Sequence, residues 1–277
     1  MESVRRMADI NRLSLNQMSV AGWSVSQAVE GCLRHGIPTI ALWRHKIAEA
    51  GLDACVRSVR DAGLHVSSVC RGGMFPSPTA EGRRKSLEDN FRAVDEAAAL
   101  QADSLVLVVG GCGADVNLAD ARTAVSDGVA ALVPYARERG VKLGLEPLHP
   151  MYAAERSVIV TIGHALELSA AFAPQEVGLI LDVFHIWWDP QVLPLIAQCK
   201  GRIYGFHVND WLFPLPDLLL GRGMMGDGVI DNHMLRLAVD QTGYNGPIEV
   251  EIFNQAIWDR DPDDVLRQMV ERFTNLV

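Results

Sequence analysis

The sequence predicts an α/β protein, a single (β/α)8 barrel over residues 1–277, and three observations carry that prediction. Eight short β-like runs alternate with eight longer helix-like runs, the rhythm of a closed parallel barrel. The β-like runs are rich in Val, Ile and Leu with few breaks, as strands covered on both faces require. Most helix-like runs stop at a glycine, namely Gly36, Gly63, Gly140, Gly201 or Gly243, the residue best able to turn a chain out of a helix.

Taken in order, RLSLNQM (12–18) precedes the amphipathic stretch SVSQAVEGCLRHG, and IPTIALW (37–43) precedes LDACVRSVRDAG. LHVSSVC (64–70) leads to a long helical run over 81–100, and DSLVLVVG (103–110) leads to ADARTAVSDGVAALVPYARERG. VKLGLE (141–146) precedes TIGHALELSAAF, and VGLILD (177–182) precedes PQVLPLIAQCK. RIYGFHV (202–208) is followed, after a long loop, by DNHMLRLAVDQTG, and PIEVEIF (247–253) by PDDVLRQMVERFTN. An open doubly wound sheet would need a Gly-rich phosphate loop after strand one, and NQMSVAGWS lacks it. GGCG at 110–113 lacks the motif spacing and reads as a tight turn.

Composition narrows the function. Hydrophobic residues make up 49% of the chain, enough for a large core and too many for disorder. No apolar run approaches the ~18 to 20 residues that span a bilayer, so no membrane partner is expected. The start, MESVRRMADINRL, has basic residues without an apolar stretch behind them, which argues against a signal peptide. A net charge of −9 opposes a nucleic-acid partner. The five cysteines, Cys32, Cys55, Cys70, Cys112 and Cys199, are scattered and form no metal-binding pair, which fits reduced thiols and a cytoplasmic location.

Four strands end on a side chain that can hold a divalent metal: VKLGLE at Glu146, VGLILD at Asp182, RIYGFH at His207 and PIEVE at Glu251. Strand C-termini gather on one face of a barrel, so three carboxylates and one imidazole converge there. Hard oxygens with one nitrogen suit Mn2+ foremost, with Mg2+, Co2+ and Zn2+ as alternatives. An unpaired buried charge is costly, and four such residues at equivalent strand ends point to a metal rather than to a structural polar layer. Glu146 and Glu251 end strands five and eight, with Asp182 and His207 between them. A metal chelating a carbonyl and an adjacent hydroxyl acidifies the C–H between them and stabilises an enediolate. Two carboxylates can then remove a proton and return it elsewhere. This is the equipment of an isomerase or epimerase acting on a sugar or keto-sugar, with Glu146 and Glu251 as acid and base.

The motifs LGLEPLHP, LDVFHIWWDP, FHVNDW, GRGMMGDGVID and YNGPIEVEIF, in this order, resemble the sugar-phosphate isomerase/epimerase superfamily, the xylose-isomerase-like TIM barrels. That group includes ketose 3-epimerases, hydroxypyruvate isomerase and inosose dehydratase. The resemblance is close over strands five to eight and only a β/α pattern before them. It implies the same four metal ligands and the same two acid/base glutamates. It further implies that His185, three residues after Asp182, and Arg222, in the loop after strand seven, hold substrate oxygens. It keeps a second reading open: a metal-dependent lyase or dehydratase acting on a keto-sugar, a keto-inositol or an oxidised glycoside. An apurinic endonuclease, which shares the barrel, would need extra histidines and a basic face, and this chain has neither.

Trp187 and Trp188 follow His185, and Trp211 follows Asp210, a more aromatic surround than many ketose epimerases have. Indoles can stack on a sugar face, or they can plug the barrel mouth or join subunits. WLFPLPDLLLGRGMMGDG is unusually apolar for a loop and reads as a lid or as the interface of a homodimer or homotetramer. Asn16, Trp43, Arg44, Arg71 and His149 fall on the active face by register and are candidate substrate contacts. Asn209 and Asp210 are candidates to orient His207, and Asp227 reads as a turn residue.

Overall fold

The structure, a computed structural model, describes residues 8–277; the basic start of the chain discussed above lies largely outside that range. Eight strands run parallel: β1 (Leu13–Asn16), β2 (Thr39–Trp43), β3 (His65–Gly73), β4 (Ser104–Val108), β5 (Leu143–Leu145), β6 (Val177–Asp182), β7 (Ile203–Val208) and β8 (Ile248–Val250). They close into a barrel in chain order, with Leu13, Ser14 and Leu15 of β1 facing Ile248, Glu249 and Val250 of β8. The predicted (β/α)8 fold is therefore the observed one. Among the described residues, no helix is long and apolar enough to cross a membrane.

The helices begin and end where their side chains dictate. Ser24 and Gln27 form a reciprocal cap at the start of Val25–His35, and Gly36 ends that helix at φ 65°, donating to the carbonyls of Cys32 and Leu33. Thr79 caps Ala80–Ala99, and Asn117 caps Leu118–Glu138. These two long helices cover the barrel beside β3 and β4.

Strand alternation divides the interior into two zones. Leu13, Leu15, Leu105, Leu107, Leu143, Leu145, Leu179, Leu181 and Val250 belong to the large core between barrel and helices. The alternate residues point into the barrel, where Cys70, Val106 and Ile180 pack with Trp43 and Phe253. The same inward set carries Glu146, Asp182, His207 and Glu251, all buried.

Three local features differ from the sequence reading. Strand one stops at Asn16, because its side chain accepts from Met18 N and caps a 3-10 turn over Gln17–Val20. The long loop after β7 contains a short antiparallel ribbon, Asp210–Trp211 against Arg222–Gly223. Pairing only two residues per side, this ribbon has no sequence period to betray it. Finally, Gly110 does more than turn: it bridges to Ser157, tying the loops after β4 and β5 together.

At the end of β3 the backbone of Gly73 adopts φ 105°, and a Cβ there would lie 2.1 Å from the carbonyl oxygen of Val108. Gly73→Ala is expected to cost about 1 to 3 kcal/mol, through strain and a backbone clash that cannot relax locally. Urea denaturation of the purified variant, read as a lower midpoint at unchanged slope, checks this.

Candidate active site

Each functional side chain is placed by a strand end. Asp182 closes β6, His207 is the penultimate residue of β7, and Glu146 and Glu251 follow β5 and β8 directly. Asp182 pairs in register with His207. One ligand atom from each of Glu146, Asp182, His207 and Glu251 lies within 4.8 Å of the others, and all four residues are buried. The sequence-predicted set is therefore brought together.

The donor set fits a divalent cation on two observations of its own. His207 Nδ1 is buried with no hydrogen-bond partner, 3.6 Å from Glu251 and 3.9 Å from Glu146. Glu146, though buried, accepts no hydrogen bond among the described residues, and His207 is the only cationic group within ion-pair distance of it. A buried carboxylate and a buried imidazole nitrogen, both without a hydrogen-bond partner, are groups a cation would satisfy.

Arg222 sets the electrostatics. Its NH1 donates to Asp182 Oδ2 and to Glu251 Oε2, each at 2.7 Å, and its NH2 lies 3.2 Å from His185 Nε2. The guanidinium sits between the rings of Phe184 and Phe253, at 4.9 and 5.3 Å. Burial alone would raise Glu251, but Arg222 and His207 outweigh it and hold its carboxyl well below the usual range. Glu146 has no such help: burial, and then the charge of Glu251, push it up to about 8. Burial opposes a charged His207, yet Glu249, Glu251 and Glu146 together push it up to about 10. His185 is driven well down by burial and by Arg222, so it is neutral.

Glu249 is the residue that the sequence reading missed. It lies two residues before Glu251 on the same inward face, and that period of two was the available signal. Asn16 Nδ2 donates to Glu249 Oε1 at 2.6 Å, and the hydroxyls of Ser67 and Ser68 donate to Oε2 at 3.0 Å. Glu249 Oε1 lies 3.6 Å from His207 Nε2, which is buried and has no other partner. Glu249, not Asn209 or Asp210, is therefore the group that faces the back of His207. Asn209 instead donates to Asp182 Oδ1 at 2.9 Å. Asp210 accepts from the backbone N–H groups of Trp211, Gly226 and Ile230 and so folds the loop. Asp227 pairs with Arg272 at 3.3 Å.

The other predicted contacts separate into engaged and available groups. Asn16 is fully buried: it donates to Glu249 and Glu251 and accepts from Met18 N and Trp43 Nε1. It positions carboxylates and does not face open space. Arg44 borders the mouth, but its guanidinium is taken by Asp89 and Glu96 at 2.7 and 2.6 Å. Arg71 and Trp43 line a cavity of about 350 Å3 at the mouth. Trp211 packs on Phe184, His149 and Trp187 with centroids 4.7, 5.2 and 5.5 Å apart, and Trp188 donates to the carbonyl of His185. The indoles thus form one aromatic wall beside His185.

The scan against family models matches residues 29–276 to the xylose isomerase-like TIM barrel. The chain belongs to that family. Among solved structures, protein SMc04130 of Sinorhizobium meliloti 1021 is 46% identical, with a TM-score of 0.94 over 97% of this chain and 99% of that one. The IOLI protein, solved with a bound zinc atom, has a TM-score of 0.84 at 18% identity, over 96% of this chain and 98% of that one, a likeness of fold. Inosose isomerase of Halalkalibacterium halodurans is 26% identical over 136 residues, 48% of this chain and 46% of that protein. The match thus spans about half the length of the curated relative.

Two predictions follow from the geometry. If the cluster holds a divalent metal, Glu249→Gln, which removes the charge behind His207, is expected to weaken its binding about 10- to 100-fold, as loss of a group supporting a metal-ligating histidine does. Isothermal titration of the metal into the apo variant measures it. The second concerns protons. Glu146 and His207 both hold a proton at pH 7 in the metal-free chain, since their values lie at about 8 and about 10. Both must lose it to bind a cation, so binding of a divalent metal is expected to release protons and to weaken as pH falls. Titrations in buffers of different ionisation heat count the protons directly.

Proposed function

We propose that this chain is a divalent-metal-dependent isomerase or epimerase of a sugar or keto-sugar, with Glu146, Asp182, His207 and Glu251 as the metal ligands. The observation that carries the reading is the buried cluster of ligand atoms within 4.8 Å at the barrel mouth, in a chain of this family. A divalent ion held there, Mn2+ foremost, would polarise a carbonyl and an adjacent hydroxyl and acidify the C–H bond between them.

The protein's own groups account for the rest. Glu251 is fixed and kept ionised by Arg222, Asn16 and His207, the state required of a proton acceptor. Glu146, on the other side of the cluster, has no donor, so its proton occupancy answers to whatever enters the site. Two carboxylates in unlike surroundings are suited to take a proton at one carbon and return it at another. His185 is neutral and buried beside Arg222, so it can donate to a substrate hydroxyl without adding charge. The aromatic wall beside His185 offers a flat apolar face suited to the C–H side of a sugar.

Turnover of candidate ketoses and 3-keto-glycosides by the Mn2+-loaded protein in D2O, followed by NMR and mass spectrometry, tests this. The expected product carries deuterium at one carbon and is otherwise isomeric with the substrate. A product without deuterium would show hydride transfer and reduce Glu251 from a base to a plain ligand, whereas one lighter by a leaving group would show a lyase and sink the proposal. Glu251→Gln is expected to reduce turnover by about 10²- to 10⁴-fold. Full activity in both Glu146→Gln and Glu251→Gln would exclude the two-carboxylate scheme.

A further inference from the structure

Buried and half-buried arginines in this chain are almost all spoken for. Arg12, Arg44, Arg222 and Arg236 grip carboxylates, Arg122 and Arg202 reach backbone carbonyls, and Arg272 holds both kinds of acceptor. Among the described residues two differ. Arg71 is half-buried near the end of β3; its backbone carbonyl accepts from Arg44 at 3.5 Å, but its guanidinium makes no hydrogen bond or ion pair. Arg156, half-buried in the segment after β5, only lies over the Tyr152 ring, at 5.6 Å. Withdrawing a guanidinium from water without an acceptor is costly, and burial indeed weakens the hold of Arg71 on its proton.

Both stand at the catalytic mouth. Arg71 lines the cavity of about 350 Å3, with Trp43, His45 and Ser86. The one carboxylate on that wall, Asp89, is already taken by Arg44 at 2.7 Å and Arg92 at 3.0 Å. Trp43 packs edge-on against Phe253 at 5.4 Å, and Phe253 carries the Arg222 guanidinium on its other contact. The cavity and the carboxylate cluster therefore share a wall. Arg71 also lies within electrostatic reach of Glu146 and Arg156, and Arg156 within reach of His185.

We propose that Arg71, backed by Arg156, is an oxyanion subsite that receives a carboxylate or phosphate on the substrate while its reacting carbons lie at Glu146 and Glu251. The substrate class is then an acidic keto-sugar, a sugar acid or a sugar phosphate. The inference rests on the function proposed above. A guanidinium fork matches either oxyanion, and two cations held near each other in a chain of net charge −9 are stable once an anion lies between them.

The experiment is calorimetric titration of the Mn2+-loaded protein with D-fructose, D-fructuronate and D-fructose 6-phosphate. At least one acidic ketose is expected to bind about 10- to 100-fold tighter than D-fructose, the worth of one charge-assisted contact, and which one identifies the oxyanion. Arg71→Met is expected to abolish that preference and Arg156→Met to reduce it, with D-fructose and Mn2+ affinities unchanged. Arg71→Lys is expected to retain part of it, which guards against a merely misfolded Met variant. Equal binding of all three ketoses overturns the subsite and leaves the metal-dependent reading standing. So does an Arg71→Met variant that alters Mn2+ affinity but not ketose preference, which would make Arg71 a counter-charge for the carboxylates. A protein that binds Mn2+ but none of the three ketoses removes the sugar reading and the subsite with it, and one that binds no metal removes the proposed function itself.

Discussion

Asp182 and Glu251 share one guanidinium, and most of the site depends on that arrangement. Two carboxylates this close inside a barrel repel each other and have lost most of their hydration. Arg222 bridges them at 2.7 Å on each side, and its flat faces are covered by Phe184 and Phe253. Removing one partner of such a buried group typically costs about 3 to 5 kcal/mol, because a bare charge is left behind. Arg222 comes from the segment after β7, not from the barrel wall. The order of that segment and the charge state of the cluster are therefore one problem with one solution.

A second layer supports the first from below. Asn16 donates to both Glu249 and Glu251, and the hydroxyls of Ser67 and Ser68 hold the other oxygen of Glu249. Ser14 joins the chain through Ser67 at 2.8 Å. Small polar residues on β1 and β3 thus fix carboxylates on β8 across the interior. Barrel strands can do this because alternate side chains of every strand meet on the axis, whatever their separation in sequence.

The barrel and the convergence of Glu146, Asp182, His207 and Glu251 at its strand ends were legible in the sequence, since both are written in local signals. Apolar runs, glycine stops and a polar residue at the end of a strand need no knowledge of distant partners. What was hidden depends on such partners. Arg44 and Arg71 directly follow the paired residues Trp43 and Cys70 and both border one cavity, yet the guanidinium of the first is consumed by Asp89 and Glu96 while that of the second has no acceptor. Nothing near either residue in sequence distinguishes them. Glu249 was passed over for a different reason. A carboxylate two residues before a ligand reads as strand polarity until the hydroxyls that hold it are placed. Asn209 and Asp210 lie two and three residues after His207, just past the end of β7; Asn209 reaches Asp182 on the neighbouring strand, and Asp210 turns to the backbone of its own loop, partners that nearness in sequence to His207 does not reveal.

The segment that delivers Arg222 is unevenly secured. Near its middle Phe213 is 85% exposed and Leu218 58% exposed, and the Tyr152 hydroxyl donates to the carbonyl of Leu218. At its far end Arg222 lies deep among carboxylates, and Met224 and Met225 are fully buried. A swing of the whole segment would drag a cation out of a nest of anions, whereas a swing of its tip alone would not. Any displacement of this segment that leaves the cluster intact is thus confined to its tip, and the charge that tames the carboxylates stays seated.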